Sequence, residues 1–240
     1  MNQHECIDRR KVQALDFRNN VRRSISLPSE ERTDRHYFPY VRDAVYLSRE
    51  RLRTGGNRKL HNVWTLDLPA GLTCARDCAG CYAQKAERLY PDVFNHRMAN
   101  FLLALYKRDL FHRQLDDQLA NIKAREANPV VRIHSSGDFF SRSYTRDIFR
   151  LAGMNLGIRF FAFSKSPWAF QEARPWNFSL IDSRLPFKGK NYTSDVSRLN
   201  KAMLEGYHLC PASLGNGQKC NLDCTYCFTA DNHRVVFKEH

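Results

Sequence analysis

Hydrophobic positions along the chain change their spacing repeatedly, from the period of a strand to that of a helix and back. Short apolar runs of strand length occur at residues 62–68, 130–134, 158–164, 177–183 and 206–210. Longer segments with the three-to-four-residue spacing of amphipathic helices lie between most of them. Strands that alternate with helices in this way predict an α/β fold with a parallel sheet and crossover helices.

The predicted helices lie in the intervals between these strands. Residues 83–126 have a largely helical pattern, and Pro129 follows just after its end. A helix over 141–154 has Ser141 in position to cap its first turn. Further helices are predicted at "PWAFQEA" and over 194–204, and the final stretch "HRVVFKEH" has strand character.

The amino-terminal quarter of the chain is organised differently. Residues 1–35 are polar, charged and weakly patterned, which predicts an extended or partly disordered arm. Residues 37–53 carry apolar side chains at helical spacing, so a helix is expected there, ended by "TGGN". We therefore divide the chain into a basic arm with its helix at 1–60, the strand–helix region at 61–209 and a cysteine-rich segment at 210–240.

Composition narrows the class of protein. The chain has 240 residues, of which 42% are hydrophobic, but it contains no run of 18 apolar residues that predicts a membrane-spanning helix. The start, "MNQHECIDRRKVQ", lacks the apolar core of a secretory signal. We expect the protein in a reducing cytoplasm, where clustered cysteines indicate metal or redox chemistry rather than disulfides.

The net charge of +13 points to an anionic partner. Basic residues recur along the chain and are interleaved with aromatic ones, as in "RHYFPYVR". Such a composition suits a groove that follows a phosphate backbone and stacks bases, so nucleic acid is the expected partner. A basic surface without this partner is the alternative, because charge alone does not identify a ligand.

Three cysteines, Cys74, Cys78 and Cys81, lie within eight positions directly after the first strand of the strand–helix region. Cubane iron–sulfur clusters are usually held by four thiolates, so a loop with three leaves one iron open to an outside ligand. The amino and carboxylate groups of S-adenosylmethionine can chelate an open iron, and one electron then yields an adenosyl radical. The alternative is a zinc site with a fourth ligand from elsewhere in the chain: His61, His96 or Cys6.

The stretch "CARDCAGCY" resembles the CxxxCxxC signature of the radical S-adenosylmethionine superfamily. The resemblance implies a partial (β/α)6 barrel with this loop after the first strand. The superfamily commonly has an aromatic residue before the third cysteine, where this chain has Gly80, and Tyr82 is expected to pack against the adenine or the cluster instead. With "LPAG", "HSSGDFFS" and "FFAFSKS", residues 62–230 resemble a group of small phage-encoded proteins of this kind, which implies the cytoplasm of a bacterial host.

Further residues of a cofactor pocket are implied by the same resemblance. Ser136, Gly137 and Asp138 look like the superfamily's Gly-Gly-Glu-like turn, which receives the amino group of the cofactor. Gly137 permits close backbone approach, and Asp138 can accept from an ammonium group. The alternative is that Asp138 or a serine caps the next helix.

In the superfamily the third and fourth strand ends approach the sulfonium and the ribose of the cofactor, and the resemblance implies the same here. The polar residues there are Ser164, Lys165, Asn177 and Ser179. Asn177 and Ser179 share one face of their strand by its period of two. Ordinary solvated loop residues are the alternative for all four.

A second cysteine group occurs near the end of the chain, at Cys210, Cys220, Cys224 and Cys227. Four thiolates can close a metal site, so we expect an auxiliary 4Fe–4S cluster, with zinc as the alternative. Too little chain follows this group to build a barrel after it. Cys6 is the one cysteine left over.

The leading functional hypothesis is a radical S-adenosylmethionine enzyme that abstracts hydrogen from a nucleic acid or nucleotide during modification or repair, with a cellular electron donor. A small-molecule substrate is possible within the same hypothesis. The rival is a non-enzymatic nucleic-acid-binding or host-interaction protein in which metal sites only stabilise the fold.

Overall fold

The computed structural model describes residues 45, 47–50, 60–75, 81–183, 192–193, 196–229 and 234–238. The predicted basic arm over 1–35, with Cys6, lies outside these residues, as do Cys78 and Gly80. The elements are β1 (Leu47–Glu50), β2 (Val63–Leu66), α1 (Tyr82–Leu89), α2 (Pro91–Tyr106), α3 (Arg108–Arg125), β3 (Val130–Ile133), α4 (Arg142–Met154), β4 (Arg159–Ser164), β5 (Phe178–Asp182), β6 (Tyr192–Thr193), α5 (Val196–Leu204), β7 (His208–Leu209), α6 (Tyr226–Thr229) and β8 (Val235–Lys238), with 3-10 turns at Pro167–Phe170 and Pro211–Ser213.

The main sheet has five strands in the order β1-β2-β3-β4-β5. Strands β2 to β5 are parallel, and helices connect β2 to β3 and β3 to β4. The α/β class and the parallel sheet are therefore confirmed. Strands β6, β8 and β7 form a separate three-stranded sheet, and the strands that the structure describes do not close into a barrel.

One face of the main sheet packs against α2, α3 and α4. Val131, Phe160 and Phe178 are neighbours across β3, β4 and β5, and all three are buried in the larger hydrophobic core. These strands are apolar on both faces, as expected when both sides of a parallel sheet are covered.

The opposite face is covered by the cysteine-rich end of the chain. Phe161 of β4 contacts Phe228 of α6, with 5.5 Å between ring centroids, and Phe163 contacts Phe237 of β8 at 5.5 Å. Cys210, Cys227 and Val235 belong to the same buried cluster as Val63 and Val130. The carboxyl-terminal segment is therefore part of the fold rather than an appendage.

The long helical stretch predicted over 83–126 is three helices. Pro91 begins α2 and cannot donate to the helix before it, so α1 ends at Leu89.

The cap of α4 is confirmed, since Ser141 Oγ accepts from Tyr144 N–H at 3.2 Å. "PWAFQEA" forms only the short 3-10 turn Pro167–Phe170. None of the described helices is long and apolar enough to cross a membrane.

The helix expected over 37–53 is wrong at residues 47–50, which form the edge strand β1. It runs antiparallel to β2, with Leu47 opposite Leu66 and Glu50 opposite Val63. Just before it, Val45 N–H donates to Gln114 Oε1 of α3 at 2.7 Å. Pairing with a distant strand overrides local helical spacing here.

Candidate functional site

Three loops meet at the carboxyl edge of the parallel strands: residues 67–75 after β2, 134–141 after β3 and 165–166 after β4. This edge is where α/β sheets place ligands. Cys74 lies in the first loop, and Cys81 directly precedes α1. The expectation that the cysteine triplet follows the first parallel strand is confirmed for these two cysteines.

The loop around Cys74 is held by its own backbone. Thr73 Oγ1 donates to Pro69 O at 2.8 Å, and Gly71 N–H donates to Cys74 Sγ at 3.4 Å. Cys81 stands at the amino end of α1. Cys74 and Cys81 thus both lie at the carboxyl edge of the sheet, one in the loop after β2 and one at the start of α1.

The turn Ser136–Gly137–Asp138 packs directly against the Cys74 loop. Leu68 N–H donates to Ser136 O at 3.0 Å, and Asp138 N–H donates to Thr73 Oγ1 at 3.3 Å. Gly137 has φ +79°, and a Cβ there would lie 2.5 Å from Thr73 Oγ1 and 2.8 Å from Leu68 O. The close backbone approach expected of Gly137 is therefore an approach to the Cys74 loop itself.

Asp138 joins the ends of β3 and β4. Its carboxylate accepts from Ser164 Oγ at 2.6 Å, from Lys165 N–H at 2.8 Å and from Phe139 N–H at 2.8 Å. The side chain is buried, and burial raises the pKa of Asp138 although these donors favour the charged form. The carboxylate thus holds two strand ends together. The sequence predicts a different role for it: a contact with the cofactor's ammonium group or a cap on the next helix.

The polar residues at the end of β4 also help to hold the two strand ends together. Ser164 is fully buried beneath Asp138, and Ser166 Oγ donates to Phe139 O at 2.8 Å. Lys165 is half-buried and donates its backbone N–H to the Asp138 carboxylate. Ser164 and Ser166 are both buried and bonded within the protein, so neither hydroxyl is presented to a cofactor.

Asn177 lies at the wrong end of its strand for the role expected of it. It precedes β5, and its amide donates to the carbonyls of Ala152 at 2.8 Å and Ile158 at 3.0 Å, which orders the loop between α4 and β4. Ser179 is half-buried in the middle of β5, opposite Phe161. Neither residue reaches the carboxyl edge, because Asn177 precedes the strand and Ser179 is its second residue.

A buried group of charged side chains lies next to the carboxyl edge of the sheet, and no sequence pattern predicts it. Arg97 of α2 contacts Glu87 at 3.0 Å and Asp67 at 3.5 Å, and Glu87 also accepts from Ala70 N–H at 2.9 Å. Asp67 accepts from Ser135 N–H at 2.7 Å. Burial raises the pKa of Glu87, with Arg97 and the Ala70 N–H opposing it. The group ties the Cys74 loop, α1, α2 and the loop after β3 together.

His134, at the end of β3, is a core residue although histidine at such an edge is a common catalytic group. It is 2% exposed, its Nε2 lies 3.0 Å from Tyr144 Oη, and burial lowers its pKa to about 3. It is neutral at physiological pH and packs edge-on against Phe139. It is therefore not a proton-transfer candidate.

Helix α1 presents an exposed face beside the triplet. Tyr82, Lys85 and Leu89 share this face by helical spacing and are exposed, and Arg88 and Tyr90 are exposed next to it. Tyr82 Oη donates to Ser135 O at 2.6 Å, so its ring stands between the Cys81 end of the helix and the loop after β3. Tyr82 is thus at the candidate site, as expected.

The second cysteine group lines one small cavity between α6, β8 and the segment after β7. The lining comprises His208, Cys210, Pro211, Ala212, Cys220, Cys224, Cys227, Phe228 and Val235. A contact with Cys210 and burial raise the pKa of Cys220, and burial raises the pKa of Cys227 to about 12. Among the residues described, no three Cys, His, Asp or Glu side chains have the arrangement of a formed metal site.

The two cysteine groups lie at opposite ends of β2. Cys220 pairs with Leu60 before the strand, and His61 N–H donates to Cys220 O at 3.0 Å. Cys220 is therefore at the amino end of β2, whereas the Cys74 loop follows its carboxyl end. His61 therefore adjoins the second group and is not a fourth ligand for the triplet.

Comparison with known proteins gives a family. The model of the family described as gene product 88 matches residues 45–202, about two thirds of the chain, which includes the Cys74 loop and excludes the second cysteine group. No curated protein and no solved structure matches the chain at a significant level. The chain belongs to the gene product 88 family.

Proposed function

We propose that the protein is a radical S-adenosylmethionine enzyme that acts on a nucleic acid or nucleotide. The observation that carries the proposal is the position of Cys74 and Cys81 after the first parallel strand, with the Cys74 loop packed on the turn after the next strand. Parallel strands that follow one another in chain order across the sheet are also what a partial barrel requires. The resemblance of "CARDCAGCY" to the radical S-adenosylmethionine signature indicates the type of chemistry.

The donor set suits an iron–sulfur cluster. Cys74 receives a backbone N–H, Cys81 stands at a helix amino terminus, and Cys78 lies between them in sequence. Cys74, Cys78 and Cys81 would hold three irons, and the cluster with S-adenosylmethionine would supply one-electron cleavage of the sulfonium, given a cellular electron donor.

The residues around the triplet would orient the cofactor. Tyr82 offers an exposed ring anchored at Ser135, and the turn 136–138 fixes the Cys74 loop beside it. The Lys165 ammonium group could meet the cofactor's carboxylate. Asp138 would act indirectly, because its carboxylate keeps this turn against the loop after β4.

The test is anaerobic purification followed by iron and sulfide analysis and electron paramagnetic resonance of the reduced protein. We expect a cluster signal that changes when S-adenosylmethionine is added and that is lost in Cys78→Ala. Cys6→Ala is the matched control and should keep the signal, because the proposed cluster takes its protein ligands from Cys74, Cys78 and Cys81. Iron signals indifferent to the cofactor, or zinc in place of iron at the triplet, would refute the radical mechanism.

The nucleic-acid part of the proposal rests on charge and on the exposed face of α1. Lys85 and Arg88 supply cations, and Tyr82 and Tyr90 supply exposed rings, next to the triplet. Phosphates attract such cations, and bases stack on such rings. A polynucleotide lying along α1 would bring its bases to the carboxyl edge.

Removing the two cations of α1 should weaken binding of single-stranded oligonucleotides. We expect Lys85→Ala with Arg88→Ala to lower affinity about tenfold at low salt and to reduce the slope of log K against log salt by about 1 to 2, as loss of up to two phosphate contacts predicts. The matched control is Lys123→Ala with Arg125→Ala. It removes the same charge from the exposed end of α3, at the opposite edge of the sheet. Equal losses in both pairs, measured by fluorescence anisotropy, would refute a local site on α1.

The second candidate function is a binder in which metal serves only the fold. It is favoured by the burial of Asp138, whose carboxylate is already bonded to three protein donors. Calorimetric titration of the iron-loaded protein with S-adenosylmethionine distinguishes the two, because the enzyme must bind it and a metal-stabilised binder need not.

A further inference from the structure

Five potential metal ligands surround the cavity at the amino end of the main sheet, one more than the sequence pattern indicated. The fifth is His208, which lines the cavity together with the four cysteines. Its ring stacks on Tyr226, with centroids 4.2 Å apart and planes 15° apart, so its orientation is restricted by packing.

The distance from His208 to Cys224 indicates what kind of metal this cavity suits. His208 Nε2 lies 3.6 Å from Cys224 Sγ. In a tetrahedral zinc site, a Zn–S bond of about 2.3 Å and a Zn–N bond of about 2.0–2.1 Å separate the two donor atoms by about 3.6 Å. In a cubane cluster each ligand binds a different iron, which sets the donor atoms farther apart.

Backbone hydrogen bonds also fix two other cysteines, Cys220 and Cys210, at this cavity. Cys220 and Cys224 close a tight turn, in which Asn221 N–H donates to Cys224 O at 2.9 Å and Asn221 has φ +65°. Cys210 is fixed to β8 by its N–H, which donates to Val236 O at 2.9 Å. These contacts hold Cys210, Cys220 and Cys224 around the cavity that His208 also lines.

The surroundings also suit a negatively charged metal–thiolate centre. Arg132 of β3 is near enough for its charge to act on Cys220 and Cys227, and its guanidinium lies 5.3 Å from the centroid of Phe163. A cation beside a buried anionic centre offsets part of the cost of burying it.

We propose that the carboxyl-terminal cavity is a mononuclear zinc site in which His208 and Cys224 bind the same ion and cysteines supply the other two ligands. The site would join the segment 208–228 to Leu60, just before β2, through Cys220, at the end of that strand opposite to the Cys74 loop. It would stabilise the fold and would not touch the substrate.

The test uses the full-length chain with Cys74, Cys78 and Cys81 replaced by serine, so that bound metal reports the second site alone. We expect one zinc per chain and no sulfide, and with Co²⁺ the absorption bands of a tetrahedral site with both nitrogen and sulfur ligands. His208→Ala should weaken zinc binding by about 100-fold or more, at or above the loss typical of altering a ligand's surroundings. His96→Ala, on the exposed side of α2, is the matched control and should bind as before.

His208→Cys keeps the test decisive if His208→Ala does not fold. A cysteine at 208 should retain one metal per chain and increase the sulfur-to-cobalt charge-transfer absorption, because a thiolate replaces a nitrogen. An unchanged spectrum in His208→Cys, an unchanged zinc affinity in His208→Ala, or iron with sulfide in the chain lacking the triplet would each overturn the assignment. Because all variants lack the triplet, these outcomes do not depend on the radical mechanism.

Discussion

Gly137→Ala should destabilise the protein by roughly 2–5 kcal/mol. About 1–2 kcal/mol comes from the left-handed conformation at φ +79°, which an L side chain adopts at a cost. Overlap adds about 1–3 kcal/mol, because the new Cβ would meet Leu68 O, a backbone atom, at 2.8 Å. For a chain of this size the melting temperature should fall by roughly 5–15 °C.

Gly206→Ala is the matched control for this substitution. Gly206 has φ +83°, but no heavy atom lies within 4 Å of the position of its Cβ. Its loss should be limited to the conformational cost of about 1–2 kcal/mol. Equal losses in the two variants, measured by chemical denaturation, would mean that the Ser136–Asp138 turn does not press on the Cys74 loop.

Arg97→Met should be at least as damaging, because it leaves Glu87 buried without its cation. Arg97 and Glu87 are 9% and 5% exposed, and their nearest charged atoms are 3.0 Å apart. Removing one partner of a buried ion pair typically costs about 3–5 kcal/mol. Lys201→Met is the control, since the Lys201–Glu205 pair is exposed and such pairs contribute about 0–1 kcal/mol.

The damage from Arg97→Met should depend on pH in a defined direction. Burial already raises the pKa of Glu87 in the folded protein, and loss of Arg97 raises it further. A carboxyl whose folded pKa lies above its unfolded value stabilises the fold at low pH, and this contribution is lost as pH rises through the folded pKa. The difference in unfolding free energy between wild type and Arg97→Met should therefore shrink from about pH 8 to about pH 5. A difference that stays constant would show that Glu87 is not what Arg97 neutralises.

Adding Glu87→Gln to Arg97→Met should recover part of the lost stability, since no buried charge then remains at position 87. The four-variant cycle isolates the coupling between the two side chains, which we expect at about 1–3 kcal/mol. Additive effects would indicate that Arg97 acts mainly through Asp67 or through its contact with Ala83 O.

Local periodicity predicted most of the strand–helix region. The parallel strands, the helices and the Ser141 cap follow from apolar spacing and capping chemistry, which act over a few residues. The position of Cys74 and Cys81 after the first parallel strand follows from the same pattern. These features are local, so the sequence alone determined them.

The tertiary structure decided what depends on residues far apart in the chain. Residues 47–50 became a strand because β2 offered an open edge, and Asp138 became a brace because Ser164 and Lys165 are brought to it by the next strand. The Arg97–Glu87 pair and the approach of His208 to Cys224 have no sequence spacing that predicts them. Such contacts form because burial and strand pairing bring distant segments of the chain together. The same forces place the Cys74 loop and Cys220 at opposite ends of β2.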